Sequence, residues 1–287
     1  MKNLLQPVLD LLTAEQWVGA ILGATVSAIF AATFATIRAA LRLRPLRRVL
    51  GALAGNDTPT AIYVRDMFVH DGALWSKEPQ YLPSAPTTIQ LAGPYPNIPS
   101  VTGQSDVVAA SDVAALLGEA GKRANVVFRT LEKNWDTWDE PLVTIGGHFK
   151  TFRVLEIATP HLIDYKLSAG DRFTVAGVGQ EFINDGITDY GVIVKARHPV
   201  TKAPCLVIMG LGALGTECTS LFFRNNAGTF AKMFGTGPFT VVVKVELQHG
   251  RHAGVPVWVG PPPVLWRRVL YAHTFLTCVR KWLPEAA

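Results

Sequence analysis

Residues Gly210-Leu211-Gly212-Ala213-Leu214-Gly215-Thr216 spell G-x-G-x-x-G. They follow the apolar run Cys205–Met209 and precede a helical pattern. In that setting the glycines allow a tight turn and a close backbone approach, and free N–H groups at the helix start can meet a pyrophosphate. A second run of the same kind is LVTIGGHFKT, Leu142 to Thr151, where Gly146-Gly147 separate a short apolar strand from a helix. A glycine-rich strand-to-helix turn leaves N–H groups at the positive end of the helix dipole, where anions bind. Thr144, His148, Lys150 and Thr151 add side-chain donors around it. The candidate ligand-binding residues are therefore Gly146, Gly147, His148, Lys150, Thr151, Gly210, Gly212, Gly215 and Thr216. Their ligand would be a small phosphate-bearing molecule, a nucleotide or cyclic nucleotide. At both turns the alternative is a purely structural bend. A complete NAD-binding fold fits 210–216 poorly. The preceding strand reads as half of a hairpin, only one strand follows, and Glu246 lies 31 residues beyond Gly215, where the fingerprint wants an acid about 20 residues on.

Other polar groups have plainer readings. Asn184-Asp185-Gly186-Ile187-Thr188-Asp189-Tyr190 lies ahead of a strand, where Asn and Asp cap turns, although the same groups could read a ribose or a base edge. His249 and His252 have no carboxylate or cysteine in metal-ligand spacing, so no metal is expected. Glu181 and Glu217 each lie near a glycine turn and could serve as a lone catalytic carboxylate, but no nucleophile–base pair is visible. The three cysteines, Cys205, Cys218 and Cys278, form no C-x-x-C and are odd in number, which suits buried thiols in a reducing compartment.

The elements that must position these residues read as an α/β domain with a mixed sheet. Strands are expected at Ala61–Val64, Asn125–Phe128, Leu142–Ile145 and Phe239–Leu247. Tyr190–Ala196 and Cys205–Met209 read as an antiparallel hairpin. Helices are expected from Ser105 to Gly121, with Ser105 or Ser111 as cap, from about Lys150 to Ala158, and from Thr216 to Phe234. The segment 79–100 holds Pro79, Pro83, Pro86, Pro94, Pro96 and Pro99, which confines it to loop or sheet edge.

The composition demands more than one soluble domain. The 287 residues are 49% hydrophobic and 17% charged, with a mean hydropathy of +0.24. A soluble domain carries about 25% charged residues. The excess apolar content concentrates in Trp17–Ile37, 21 residues without a charge, about 31 Å as a helix and matched to the hydrocarbon core of a bilayer. Residues 1–16 precede it as a short segment. Arg38, Arg42, Arg44, Arg47 and Arg48 follow it as a basic juxtamembrane helix (38–55), predicted to lie at the membrane surface. The flank before the span has net charge −1. That asymmetry predicts a single-pass protein of the inner membrane with its C-terminal side in the cytoplasm. A cleaved signal peptide fits less well, because the basic residues come after the apolar run, and an Ala-rich core helix is a further alternative. Gly19 and Gly23 form GxxxG, continued by Ala24, Ala28 and Ala32, small residues that favour helix association in lipid. Thr25, Thr33 and Thr36 add hydroxyls that could face other helices or a pore. Val264–Leu283 reads as a basic amphipathic helix that either lies on the membrane or packs on the domain.

The net charge of +5 comes from the flanks: −1 on residues 1–37, +5 on 38–48 and +3 on 264–287, which leaves −2 on the body. A mildly acidic domain of this kind (56–260) is a poor duplex nucleic-acid binder. The expected partners are a lipid bilayer, further copies of the chain and the small ligand.

An N-terminal span, an arginine collar and an α/β domain with glycine turns at 146–147 and 210–216 resemble membrane-anchored effectors of bacterial nucleotide-signalling, anti-phage systems with a Rossmann-like sensor of the SLOG or TIR-like kind. The resemblance implies a homo-oligomer whose sensor binds a nucleotide signal and whose membrane segment then rearranges into a pore or disrupts the bilayer. It favours an effector over an enzyme. The alternative is a membrane-tethered enzyme acting on a nucleotide or NAD, and a scaffold that recruits partners is a third reading.

Overall fold

A computed structural model describes residues 14–55, 60–64, 67–70, 73–76, 89–90, 98–101, 103–121, 126–129, 138–147, 149–160, 162–166, 172–176 and 180–260. The chain divides at Arg44/Pro45 into two units. Residues 1–13 and the C-terminal segment 264–283 lie outside the described residues.

The first unit holds most of helix α1 (Ala14–Leu50), which contains Pro45. Trp17–Ile37 within it has a mean hydropathy of 1.9 and is not buried by the rest of the chain; among the described residues no other helix is long and apolar enough to cross a membrane. Its large side chains are open on every side, Phe30 at 71% and Phe34 at 67% exposure. A helix apolar all round requires a non-aqueous neighbour. The hydroxyls of Thr25 and Thr36 donate to the carbonyls of Ile21 and Ala32 in the same helix, at 2.7 and 2.8 Å. They are thereby satisfied without a partner helix.

The second unit is built on a seven-stranded mixed sheet. Its strands are β1 (Thr60–Tyr63), β6 (Val126–Arg129), β7 (Leu142–Ile145), β11 (Thr188–Arg197), β12 (Pro204–Gly210), β13 (Phe239–Glu246) and β14 (Val255–Gly260). Their order is β14-β13-β11-β12-β7-β1-β6. Pairs β6–β1, β1–β7 and β7–β12 are parallel, while β12–β11, β11–β13 and β13–β14 are antiparallel. The expected hairpin is therefore present, and β12 is the seam where it joins the parallel half.

Each central strand is buried on both faces, and alternate residues divide between two cores. Val143, Ile145, Leu206, Ile208, Val241 and Val243 face a core with helices α2 (Gln104–Glu119) and α4 (Ala213–Phe234). Leu142, Cys205, Val207, Met209, Val192 and Val194 face another with helix α3 (Phe149–Ala158) and with Phe173, Val175 and Phe182. Strands covered on both faces read as continuous apolar runs, which is why β7, β12 and β13 are visible in sequence.

The expected helices and strands match to within a few residues, but β14 has no counterpart in the sequence reading, so two strands and not one follow the 210–216 turn, and the caps and two small sheets also differ. α2 is capped by Gly103 without a side-chain bond, and Ser111 bonds back to Val107 at 2.8 Å, so neither serine is the cap. Two small sheets also have no counterpart in the sequence reading. One is β8 (Ile163–Lys166), β9 (Arg172–Val175) and β10 (Glu181–Ile183), in order β10-β9-β8. The other is β2 (Met67–His70), β3 (Ala73–Ser76), β4 (Ile89–Gln90) and β5 (Ile98–Val101), in order β4-β3-β2-β5. Strands this short carry too little alternation to announce themselves. β4 and β5 are the edges of their sheet, and Pro99 lies in β5, as edge position requires.

The last turn of α1 belongs to the second unit. Val49, Leu50 and Leu53 are buried in the first core, the chain continues as a 3₁₀ turn at Gly51–Ala54, and Arg47 Nε donates to the carbonyl of Ala120 at the end of α2, at 3.0 Å. Arg48 lies beside Gly235. Of the five arginines of the collar, Arg47 and Arg48 thus touch the domain, Arg44 is exposed, and the side chains of Arg38 and Arg42 lie outside the described set.

Candidate functional site

The two glycine turns predicted from sequence are neighbours. β7 and β12 run parallel with Ile145 opposite Ile208, so the turns that follow them emerge side by side at the carboxyl edge of the sheet. Gly146 N–H donates to the carbonyl of Ile208 at 2.9 Å. A Cβ on Gly147 would lie 2.9 Å from the carbonyl oxygen of Gly210. The amino ends of α3 and α4 start from these turns, and Asp106 in the first turn of α2 lies over Gly146, where a Cβ would come within 2.7 Å of its carboxylate. Gly146 also has φ +92°, a left-handed conformation that favours glycine. Three helix amino termini therefore converge on one edge, where the carboxylates of Asp106 and Asp189 offset the positive ends of the helix dipoles.

The second turn is already filled from within. Asp189, on β11 and only 1% exposed, accepts Gly212 N–H at 3.0 Å, Gly215 N–H at 2.6 Å and Tyr190 N–H at 2.8 Å. Its carboxylate occupies the position in which the G-x-G-x-x-G turn of a dinucleotide fold holds phosphate oxygens. Each glycine of the motif has an internal reason. A Cβ at Gly210 would strike the first turn of α4, at Gly212 it would reach Asp189 and Asn184 at 2.7 and 2.8 Å, and at Gly215 it would meet the Tyr190 carbonyl at 2.6 Å. Thr216 is buried and its hydroxyl bonds back to the Gly212 carbonyl at 3.2 Å. The first turn is different, since Gly147 is exposed. Thr151 and Thr144 are buried nearby, and the Thr144 hydroxyl has no hydrogen-bond partner. His148 and the side chain of Lys150 lie outside the described residues.

Asp106 and Asp189 were not among the residues singled out as ligands. Asp106 is recognisable as an acid in a first helical turn; Asp189 stands within the Asn184–Tyr190 segment. In that segment Asp185 accepts Ile187 and Thr188 N–H at 2.9 and 2.7 Å, and Asn184 accepts Gly186 N–H at 3.1 Å. These are turn caps, and the bonds from Thr188 and Ile187 hold the Asp185 carboxyl below its ordinary pKa.

Two of the remaining polar candidates are ion-paired locally. Glu181 pairs with Arg172 at 3.1 Å and His249 with Glu246 at 3.1 Å. Among the described residues no three metal-ligating side chains cluster. Cys205 and Cys218 are buried free thiols. Burial pushes both up to about 12, and the Asp189 carboxylate adds to the effect at Cys218. Cys278 lies outside the described residues. Asp112 of α2 ties three elements together: it accepts Ser220 Oγ at 3.0 Å, Arg224 at 3.2 Å and Arg251.

The strand order supplies the opening that the glycine turns lack by themselves. From β1 the chain crosses to β6 by way of α2 on one face, and from β7 it leaves by α3 on the other. The connections depart in opposite directions between β1 and β7, the arrangement that leaves a crevice at the carboxyl ends of an open α/β sheet. No family model, curated protein or solved structure matches the chain.

Proposed function

We propose that this chain is a single-pass, membrane-anchored effector of the inner membrane whose cytoplasmic α/β domain binds a small phosphate-bearing ligand, a nucleotide or cyclic nucleotide. The contact is the Gly146–Gly147 turn at the amino end of α3. The observation that carries this reading is the divergence of the crossover connections between the parallel strands β1 and β7, with Gly147 exposed at their carboxyl edge. The 210–216 turn supports the site through its backbone while Asp189 holds its N–H groups. The arginines after the span favour a cytoplasmic domain, and Gly19, Gly23, Ala24, Ala28 and Ala32 favour association of identical spans. Ligand binding acts by favouring one of two states of the domain, and the assembled spans then open a pore or disrupt the bilayer, in keeping with a role in anti-phage defence.

The test uses full-length protein in liposomes loaded with a fluorescent dye, challenged with mono-, di- and cyclic nucleotides and NAD. Dye release with one ligand class, lost in Gly147→Trp, is the expected result. Binding without release overturns the effector reading, and no binding by any nucleotide overturns the site. Chromatography of the same mixtures detects turnover, the outcome that favours a membrane-tethered enzyme.

A further inference from the structure

At the opposite, amino edge of the sheet lies a cavity of about 510 Å³, within the range of small-molecule sites. It is enclosed by the turn that follows α1, the end of α3, and the ends of the strands around β11. Its walls are mainly apolar, among them Leu50, Ala158, Leu162, Ala196, Pro204 and Pro238. The charged groups that line it are Lys195 and Arg197; no carboxylate does. Arg197 is exposed. Lys195 is only 6% exposed, and its ammonium donates to two main-chain carbonyls, Val49 and, at 3.0 Å, Thr236.

An ammonium carries three protons and these bonds use two. Among the described residues no carboxylate pairs with Lys195. Burying a cation without a counter-ion is costly, and desolvation lowers its pKa to about 8, with the neighbouring Arg197 adding to the shift. We infer that this cavity is a binding site for a small amphiphilic anion, its acidic head on Lys195 and its apolar body along the Leu50–Pro238 walls. The head supplies a negative charge that no described residue gives Lys195, the two bonds to Val49 and Thr236 use two of its three protons, and the walls take an aliphatic body. Lys195 also holds the Val49 carbonyl in the last turn of α1, so occupancy bears directly on how that turn is fastened to the domain.

The test uses full-length protein in phosphatidylcholine nanodiscs with octanoate as probe, and octanol as a neutral control of the same chain length. Octanoate should raise the melting temperature in a saturable way and octanol should not. Lys195→Met should weaken octanoate at least about ten-fold, the loss of one charge-assisted contact. Ala52→Trp, at an exposed lining residue, should block the cavity without touching the core, so the proposal stays testable if Lys195→Met misfolds. Binding should weaken as pH rises from 7 to 9.5 and the lysine loses its charge. Equal stabilisation by octanol, undiminished octanoate binding in Ala52→Trp, or no effect of octanoate each overturns the inference. Once binding is found, mass spectrometry of an organic extract of the purified protein separates the sources: a co-purifying fatty carboxylate or lysophospholipid points to the bilayer, and an extract without one points to a soluble carboxylate.

Discussion

Removing the carboxylate of Asp189 should destabilise the domain and open an anion site at the 210–216 turn, which the native side chain fills. Three backbone N–H groups converge on this buried side chain at 2.6 to 3.0 Å. In Asp189→Ala they lose a charged acceptor in a place water reaches poorly. Each unsatisfied buried donor costs about 1–3 kcal/mol. Gly212 is only half-buried, so water recovers part of the loss, and the three costs overlap. A total of about 3–5 kcal/mol follows, a large part of the stability of an ordinary domain. For a domain of this size that lowers the melting temperature by about 10 °C. Asp189→Asn keeps the shape and one accepting oxygen but sets an amide N–H₂ against an N–H donor, so it should fall between the two. The assay is thermal unfolding of full-length protein in detergent, followed by circular dichroism, with and without inorganic phosphate. Phosphate at millimolar concentration should restore part of the stability of Asp189→Ala by occupying the vacated turn, a gain beyond any it gives the native protein at the Gly146–Gly147 turn. An alanine variant as stable as the native protein, or a native protein stabilised by phosphate as strongly as the variant, would refute the idea that Asp189 fills this turn.

Other consequences are simpler to read. Lys195 has a folded pKa of about 8 against 10.5 ordinarily, so the unfolded chain binds more protons between these values and the lysine's contribution improves as pH rises through that window. The stability of the native protein relative to Lys195→Met should therefore increase by about 3 kcal/mol between pH 7 and 10.5; a gap independent of pH would show that the ammonium is not desolvated. Cys205 and Cys218, with thiols pushed up to about 12, should remain unmodified by iodoacetamide at pH 8 in the folded protein and react once it is denatured, as peptide mass spectrometry would register. Gly191→Ala should cost about 1–3 kcal/mol, because its Cβ would collide with the Thr219 hydroxyl and lie 2.7 Å from the Gly215 carbonyl; unchanged urea unfolding would contradict that packing.

Much of the architecture is legible in the sequence. The uncharged run Trp17–Ile37, the hairpin of β11 and β12, the strand–turn–helix units at 142–158 and 205–234, and the mixed sheet follow from local apolar patterning, which the chain carries residue by residue. The strands β2–β5 and β8–β10 are not legible, because runs of two to four residues broken by polar side chains or proline, such as ALWS, IPSV and IDYK, hold neither a period nor an apolar block. The glycine motif shows the deeper limit. Its spacing is real, but whether its N–H groups are free depends on Asp189, which lies 23 residues before Gly212 and arrives only because β11 pairs with β12. Asp106 reaches Gly146 only through the packing of α2 over the carboxyl end of β7. Lys195 likewise stands in sequence as one of two basic residues in the run GVIVKAR. That it is a buried cation holding the last turn of α1, on a cavity without an acid, is set by the meeting of β11, the Thr236 turn and the Val49 carbonyl. Propensity and period act over a few residues and so determine the elements; charge compensation and occupancy act through space between segments far apart in the chain, so only the tertiary structure decides them.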